Sequence, residues 1–193
     1  MKKMTFAIIM AALILFGVSF SLNGIAARNA QREHIWLMQT ILPGSENFTV
    51  EPYAGEDANI RSVHKGENGF VIETVTDGYA DEIIMLIGVD NDGYVTGLVV
   101  KESHETFGLG NQILTDHVFL SQFLNGTGEF AVATSGTDTF SGATGTTDSE
   151  SATDIDAVTG ATVTSKAVVR CVNSAVAYVT GVDASSSATT WEG

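Results

Sequence analysis

The sequence predicts an α+β domain, a mixed and largely antiparallel sheet flanked by helices, behind one N-terminal transmembrane helix. Three observations predict it. Residues 4–27 carry no charge. Between residues 70 and 100, runs of β-branched and apolar residues alternate with turn residues. Val168, Val169, Val172, Ala175, Val176 and Val179 then recur at the spacing of a helix with one buried face.

The uncharged run lies between Lys3 and Arg28. As a helix it spans about 36 Å at 1.5 Å per residue, enough to cross a bilayer. A secretory apolar region is shorter, about 7–15 residues. Gly24-Ile25-Ala26 offers a small-x-small cleavage pattern, but the length of the run favours a retained anchor over residues 1–28. Lys2, Lys3 and the terminal amine stand against Arg28 and Arg32, a slight preference for a cytoplasmic N-terminus.

Residues 29–44 read as a helical connector. Ile35, Met38, Ile41 and Leu42 recur at helical spacing, Trp36 and Leu37 widen that face, and Pro43-Gly44 ends it. Trp36 is expected to pack rather than to touch a ligand. The domain proper is expected over 45–183. Its first part, 45–69, is rich in turn residues and is expected to hold loops and one short strand. Phe70 to Val75 is the first clear strand. Glu82 to Asp90 contains Ile83-Ile84-Met85-Leu86-Ile87, too apolar for a strand with one wet face, so it belongs centrally. Asn91-Asp92-Gly93 turns the chain into Tyr94 to Val100, an Asp-Gly hairpin. Thr115 or Asp116 can cap a helix from His117 to Leu124, closed by Asn125-Gly126. Phe130 to Ala133 is one more strand. Residues 134–155 are almost all small or polar and read as a solvated loop insertion. Thr164 or Ser165 is expected to cap the last helix, and 184–193 is a Ser-rich tail.

The net charge of −14 leaves no basic footprint, so no nucleic-acid partner is expected. The single Cys171 excludes an intrachain disulfide and falls on the last helix, where a buried apolar role is expected. His34, His64, His104 and His117 have no ligand spacing, so neither a metal site nor a set of catalytic side chains is expected.

The chemistry concentrates in Asp156-Ala157-Val158-Thr159-Gly160-Ala161-Thr162-Val163-Thr164-Ser165. Hydroxyls and small residues crowd a helix N-terminus, where free N–H groups favour an anion. Taken alone, these residues read sooner as an ordinary capped helix after a loop, since Ser/Thr/Gly runs before helices are common. Asp138-Thr139-Phe140-Ser141-Gly142-Ala143-Thr144 repeats the pattern, but no helix follows it. A third segment is His104-Glu105-Thr106-Phe107-Gly108-Leu109-Gly110.

The segment ending at Thr162 resembles the Asp-x-x-(Ser/Thr)-Gly-Ala-(Thr/Ser) acceptor motif of the FMN-binding-domain family. The segment at 104–110 resembles a His-x-Glu-Thr-x-Gly-Leu-Gly stretch of the same family. With the N-terminal apolar span, the chain looks like the G subunits of Rnf-type ion-translocating electron-transport complexes and, more distantly, the C subunits of sodium-translocating NADH:quinone reductase. The resemblance implies FMN esterified through its phosphate to Thr162 by a flavin transferase. It implies that Asp156 serves recognition by that transferase, and that Thr159, Gly160, Ala161 and Thr164 lie against the cofactor. Glu105, Thr106, Gly108, Leu109 and Gly110 would line it, the glycines through a tight turn. The implied activity is an electron relay within a ferredoxin:NAD+ oxidoreductase complex, not self-sufficient catalysis. The implied partners are membrane subunits with flavin and iron–sulfur centres, and the domain would lie outside the cytoplasm. A stand-alone extracellular electron-transfer flavoprotein and a non-catalytic acidic surface domain remain alternatives.

Overall fold

The computed structural model describes residues 29, 31–103, 109–133, 152–158 and 160–181. The chain divides into two compact units, Met1–Leu37 and Met38–Gly193. Helix α1 covers residues 31–41. In the first unit Trp36 is 61% exposed. The expected transmembrane helix lies outside the described residues. Among the described residues, no helix is long and apolar enough to cross a membrane.

The second unit carries β1 (Thr49–Glu51), β2 (Ile60–Lys65), β3 (Gly69–Asp77), β4 (Glu82–Asp90), β5 (Val95–Ser103), α2 (Leu109–Ile113), α3 (His117–Ser121), β6 (Phe130–Ala133), β7 (Thr153–Asp156) and α4 (Thr162–Thr180). The first five strands form one antiparallel sheet in sequence order. β6 and β7 form a separate parallel pair. The architecture is therefore α+β with a large antiparallel sheet, as the residues predict. β4 is buried from Ile83 to Val89, which its unbroken apolar run requires. Gly93 (φ 87°) turns β4 into β5. Asp116 caps α3 by accepting from the Val118 amide at 2.8 Å.

Two expectations are corrected. Residues 45–69 hold two strands before β3, not one. β2 buries only Ile60 and Val63 and is interrupted by a bulge between Ile60 and Ser62, so its alternation is faint. The solvated insertion does not extend to residue 155: Thr153–Asp156 is β7, and Ile155 is fully buried.

Both faces of the sheet are covered. Ile72, Met85 and Ile87 form one cluster with Val168 and Val172 of α4. Alternation puts Val71 and Leu86, also fully buried, on the other face. That face receives the last turn of α1, through Met38, Ile41 and Leu42. The Thr96 hydroxyl donates to the Ile41 carbonyl at 2.6 Å. Gly88 and Gly97 are cross-strand partners beneath it. A Cβ on Gly97 would stand 2.8 Å from the Ile41 Cα, so the two glycines make the floor on which the helix end rests. Gly97→Val is expected to cost about 1–3 kcal/mol through overpacking. Urea unfolding should show a lower midpoint with an unchanged slope.

Candidate functional site

The acceptor motif is built by a strand, a glycine turn and a helix start. The Ala161 amide donates to the Val158 carbonyl at 2.9 Å, closing a four-residue turn. Its third residue is Gly160 with φ 85°, a conformation that favours glycine. The turn delivers the chain directly into α4, whose first residue is Thr162. The capping role expected of Thr164 or Ser165 is thereby corrected. The N-cap position is Ala161, which has no side chain with which to cap. Thr164 and Ser165 are buried in the first turn, and the Ser165 hydroxyl donates to the Ala161 carbonyl at 2.9 Å. Thr162, by contrast, is exposed. The site thus presents an exposed hydroxyl on the first turn of a 19-residue helix. The first N–H groups of such a helix lack intrahelical acceptors and favour negative charge. Lys166, also exposed, follows Thr162 by one turn on the same helical face.

α4 runs antiparallel to β3. Tyr178 stacks edge-on against Phe70 at the start of β3, with ring centroids 5.6 Å apart, and Arg170 donates to the Asp77 carbonyl at its end, at 3.0 Å. Thr162 lies eight residues before Arg170, about 12 Å further along the helix axis. It therefore projects at the end of the sheet where β3 finishes and β5 also finishes, since Ser103 of β5 pairs with Ile83 near the start of β4. Ser103 leads into the second motif. Of that motif, His104, Glu105, Thr106, Phe107 and Gly108 lie outside the described residues, as does Thr159 of the acceptor motif. Leu109 and Gly110 open α2, so the tight turn expected at Gly110 is corrected to the first turn of a short helix. The duplicate motif at 138–144 also lies outside the described residues.

A groove of about 460 Å³ opens between β5 and the pair α2–α3. Leu98, Val100, Leu114 and Leu120 give it apolar walls, and Asn111 and His117 add polar groups. Its size falls in the range of small-ligand sites, about 300–1,000 Å³. β5 is the edge strand of its sheet, so its outer backbone faces the groove rather than another strand of that sheet.

Two residues that sequence reasoning missed hold the β6–β7 pair in place. Asn173 of α4 accepts from the Phe130 amide at 3.0 Å and donates to the Phe130 carbonyl at 2.9 Å. Gln122, the C-cap of α3, accepts from the Asp156 amide at 2.8 Å and donates to the Asp156 carbonyl at 3.4 Å. Each carboxamide copies the donor–acceptor pair that a neighbouring strand would offer. The only sequence signal is an Asn in the middle of an apolar helical face, since buried polar groups need partners. Asp156 itself is exposed at the end of β7, its carboxylate outside this clamp.

Cys171 is fully buried on α4, and burial pushes its thiol up to about 11. At pH 8 only about one thiol in a thousand is then thiolate. Alkylation by iodoacetamide is expected to be undetectable in the native protein and complete in denaturant, measured by intact mass.

The family profile described as "FMN-binding domain" matches residues 78–177, one hundred of the 193 positions. The G subunit of the Na(+)-translocating ferredoxin:NAD(+) oxidoreductase complex of Acetobacterium woodii is 38% identical over 110 residues, covering 56% of this chain and 47% of the relative. The G subunit of the ion-translocating oxidoreductase complex of Erwinia tasmaniensis is 36% identical over 113 residues, covering 55% and 46%. Its counterpart in Escherichia coli is 37% identical over 112 residues, covering 54% and 47%. The chain thus matches about half the length of these relatives. The crystal structure of Shewanella oneidensis NqrC aligns at 21% identity with a TM-score of 0.44, covering 70% of this chain and 65% of that one. The matched span takes in β4, β5, the groove, the β6–β7 pair, Thr162 and most of α4, and it covers more than half of the chain: this protein belongs to the FMN-binding domain family.

Proposed function

We propose that the chain is a membrane-anchored flavoprotein subunit that relays electrons through FMN attached to Thr162, within an Rnf-type ion-translocating ferredoxin:NAD+ oxidoreductase complex. The observation that carries this reading is the exposed Thr162 hydroxyl at the first position of α4, directly behind the Gly160 turn. A phosphoester there places its anionic oxygens by the free amides of the first helical turn. Lys166 adds a positive charge one turn on. Bound FMN supplies the electron transfer; the chain supplies attachment, orientation and shielding. Gly160, exposed, leaves room for close approach, while Ala161 and Thr164 are buried and seat the turn from the interior. The groove beside β5 lies at the same end of the sheet and has the size to shelter a planar ring, with Leu109 and Gly110 opening the helix that forms one of its walls. Glu105, Thr106 and Gly108 belong to the segment that joins the groove's two walls in sequence. Asp156 stays available to a flavin transferase.

The complex is taken from the names of the relatives, the membrane from the uncharged run at 4–27, and the extracytoplasmic side from the slight charge preference across that run together with the family resemblance. The partners would be membrane subunits that carry flavin and iron–sulfur centres. The test is coexpression with a flavin transferase. An intact mass raised by one FMN less water, together with visible flavin absorption, supports the reading. An unchanged mass with active transferase present refutes it. Copurification with other membrane subunits tests the complex separately.

A further inference from the structure

We infer that Gln122 is a positioning residue for flavin attachment, fixing the acceptor motif in the form that a transferase can use. The inference rests on the proposed attachment at Thr162. Gln122 lies 34 residues from Asp156 in sequence, yet its carboxamide bonds both main-chain groups of that residue, at 2.8 and 3.4 Å. Asp156 is the first residue of the acceptor motif. β7 is only four residues long and pairs with one strand, β6. A two-stranded pair is marginal without further packing. The clamp therefore holds the free end of β7, at the point where the chain leaves the sheet for the Gly160 turn.

Gln122 is itself firmly seated. Its amide donates to the Phe119 carbonyl at 3.2 Å, and Phe119 and Phe123 on either side are buried with their rings 5.6 Å apart. The position of the motif is thereby referred to the core through α3, while the Asp156 carboxylate and the Thr162 hydroxyl stay exposed. The bonds of its side chain among the described residues run to the Asp156 main chain and not to Thr162. Its effect is through the main chain of Asp156: with the clamp lost, the strand end frays and the motif samples conformations the transferase does not bind.

The full chain is incubated with a flavin transferase and FAD, and the flavinylated fraction is followed by intact mass. Gln122→Ala is expected to lower the flavinylation rate about tenfold or more at equal thermal midpoint. Gln122→Glu keeps the 2.8 Å acceptor for the Asp156 amide but sets a second oxygen against the Asp156 carbonyl, so it is expected to recover part of the rate and to exceed Gln122→Ala. Hydrogen exchange over 152–158 should quicken most in the Ala variant. Parental rates in both variants overturn the inference, as does slow flavinylation without faster exchange at 152–158. Should Gln122→Ala fail to fold, a Glu variant as slow as a Gln122→Leu variant overturns it as well. A parent chain that takes up no flavin refutes the attachment itself, a separate outcome visible before any variant is made.

Discussion

Thr162→Val is expected to abolish covalent flavin while leaving the fold intact. The hydroxyl oxygen is the atom that would bond phosphorus, and valine has nearly the same shape without it. Thr162 is exposed, and the hydrogen bonds of the turn among the described residues run from Ala161 to Val158 and from Ser165 to Ala161. An exposed substitution of this kind shifts stability by no more than about 0.5 kcal/mol. Attachment should therefore fall to zero at an unchanged thermal midpoint, and Thr162→Ser should restore it. Intact mass and peptide mapping after coexpression with the transferase read the result. Flavin mapped to Thr144 would move the site to the duplicate motif and sink the assignment.

The helix behind Thr162 is what distinguishes the two motifs in the sequence, and it forms as its apolar stripe requires, with Val168, Val172 and Ala175 fully buried. The strands rich in Ile and Val are equally legible, because a run such as Ile83 to Val89 has only one way to be buried on both sides. The parts that are not legible depend on partners far away in sequence. β7 carries a single inward apolar residue, Ile155, and is held by β6 and by Gln122. Local composition around it says loop, and pairing with β6 across the polar tract overrides that. The hydroxyl residues suggest caps and so place the start of α4 three or four residues late, at Thr164 or Ser165 instead of Ala161. Here the Gly160 turn sets the start, and the hydroxyls of Thr164 and Ser165 are turned inward instead. Gly126 reads as a mere helix stop, yet a Cβ there would stand 2.7 Å from the Phe130 ring, a close approach that no neighbour in sequence announces.

Asn173→Ala is expected to be the most destabilising single substitution argued from this structure. The Asn173 side chain is buried, and it satisfies both the amide and the carbonyl of Phe130, itself 1% exposed. Removing the carboxamide leaves a buried donor and a buried acceptor without partners. Each such group costs about 1–3 kcal/mol, and the vacated space adds to it, so a loss of about 2–5 kcal/mol is expected. Such a loss is a large share of a typical domain's stability, about 5–15 kcal/mol. The urea midpoint should fall accordingly, and the Phe130 amide should exchange faster than those of β3 and β4. Asn173→Leu fills the space without serving either backbone group, so it should recover only the part of the loss due to the cavity. A loss under about 0.5 kcal/mol in Asn173→Ala would mean that water replaces the carboxamide, and the clamp would then not be what holds β6 to the helix. The position matters for the site because Phe130 opens β6, β6 pairs with β7, and β7 runs into the acceptor motif. Asn173 and Thr162 share one helix, so the same element that presents the hydroxyl also secures the far end of the strand pair leading to it.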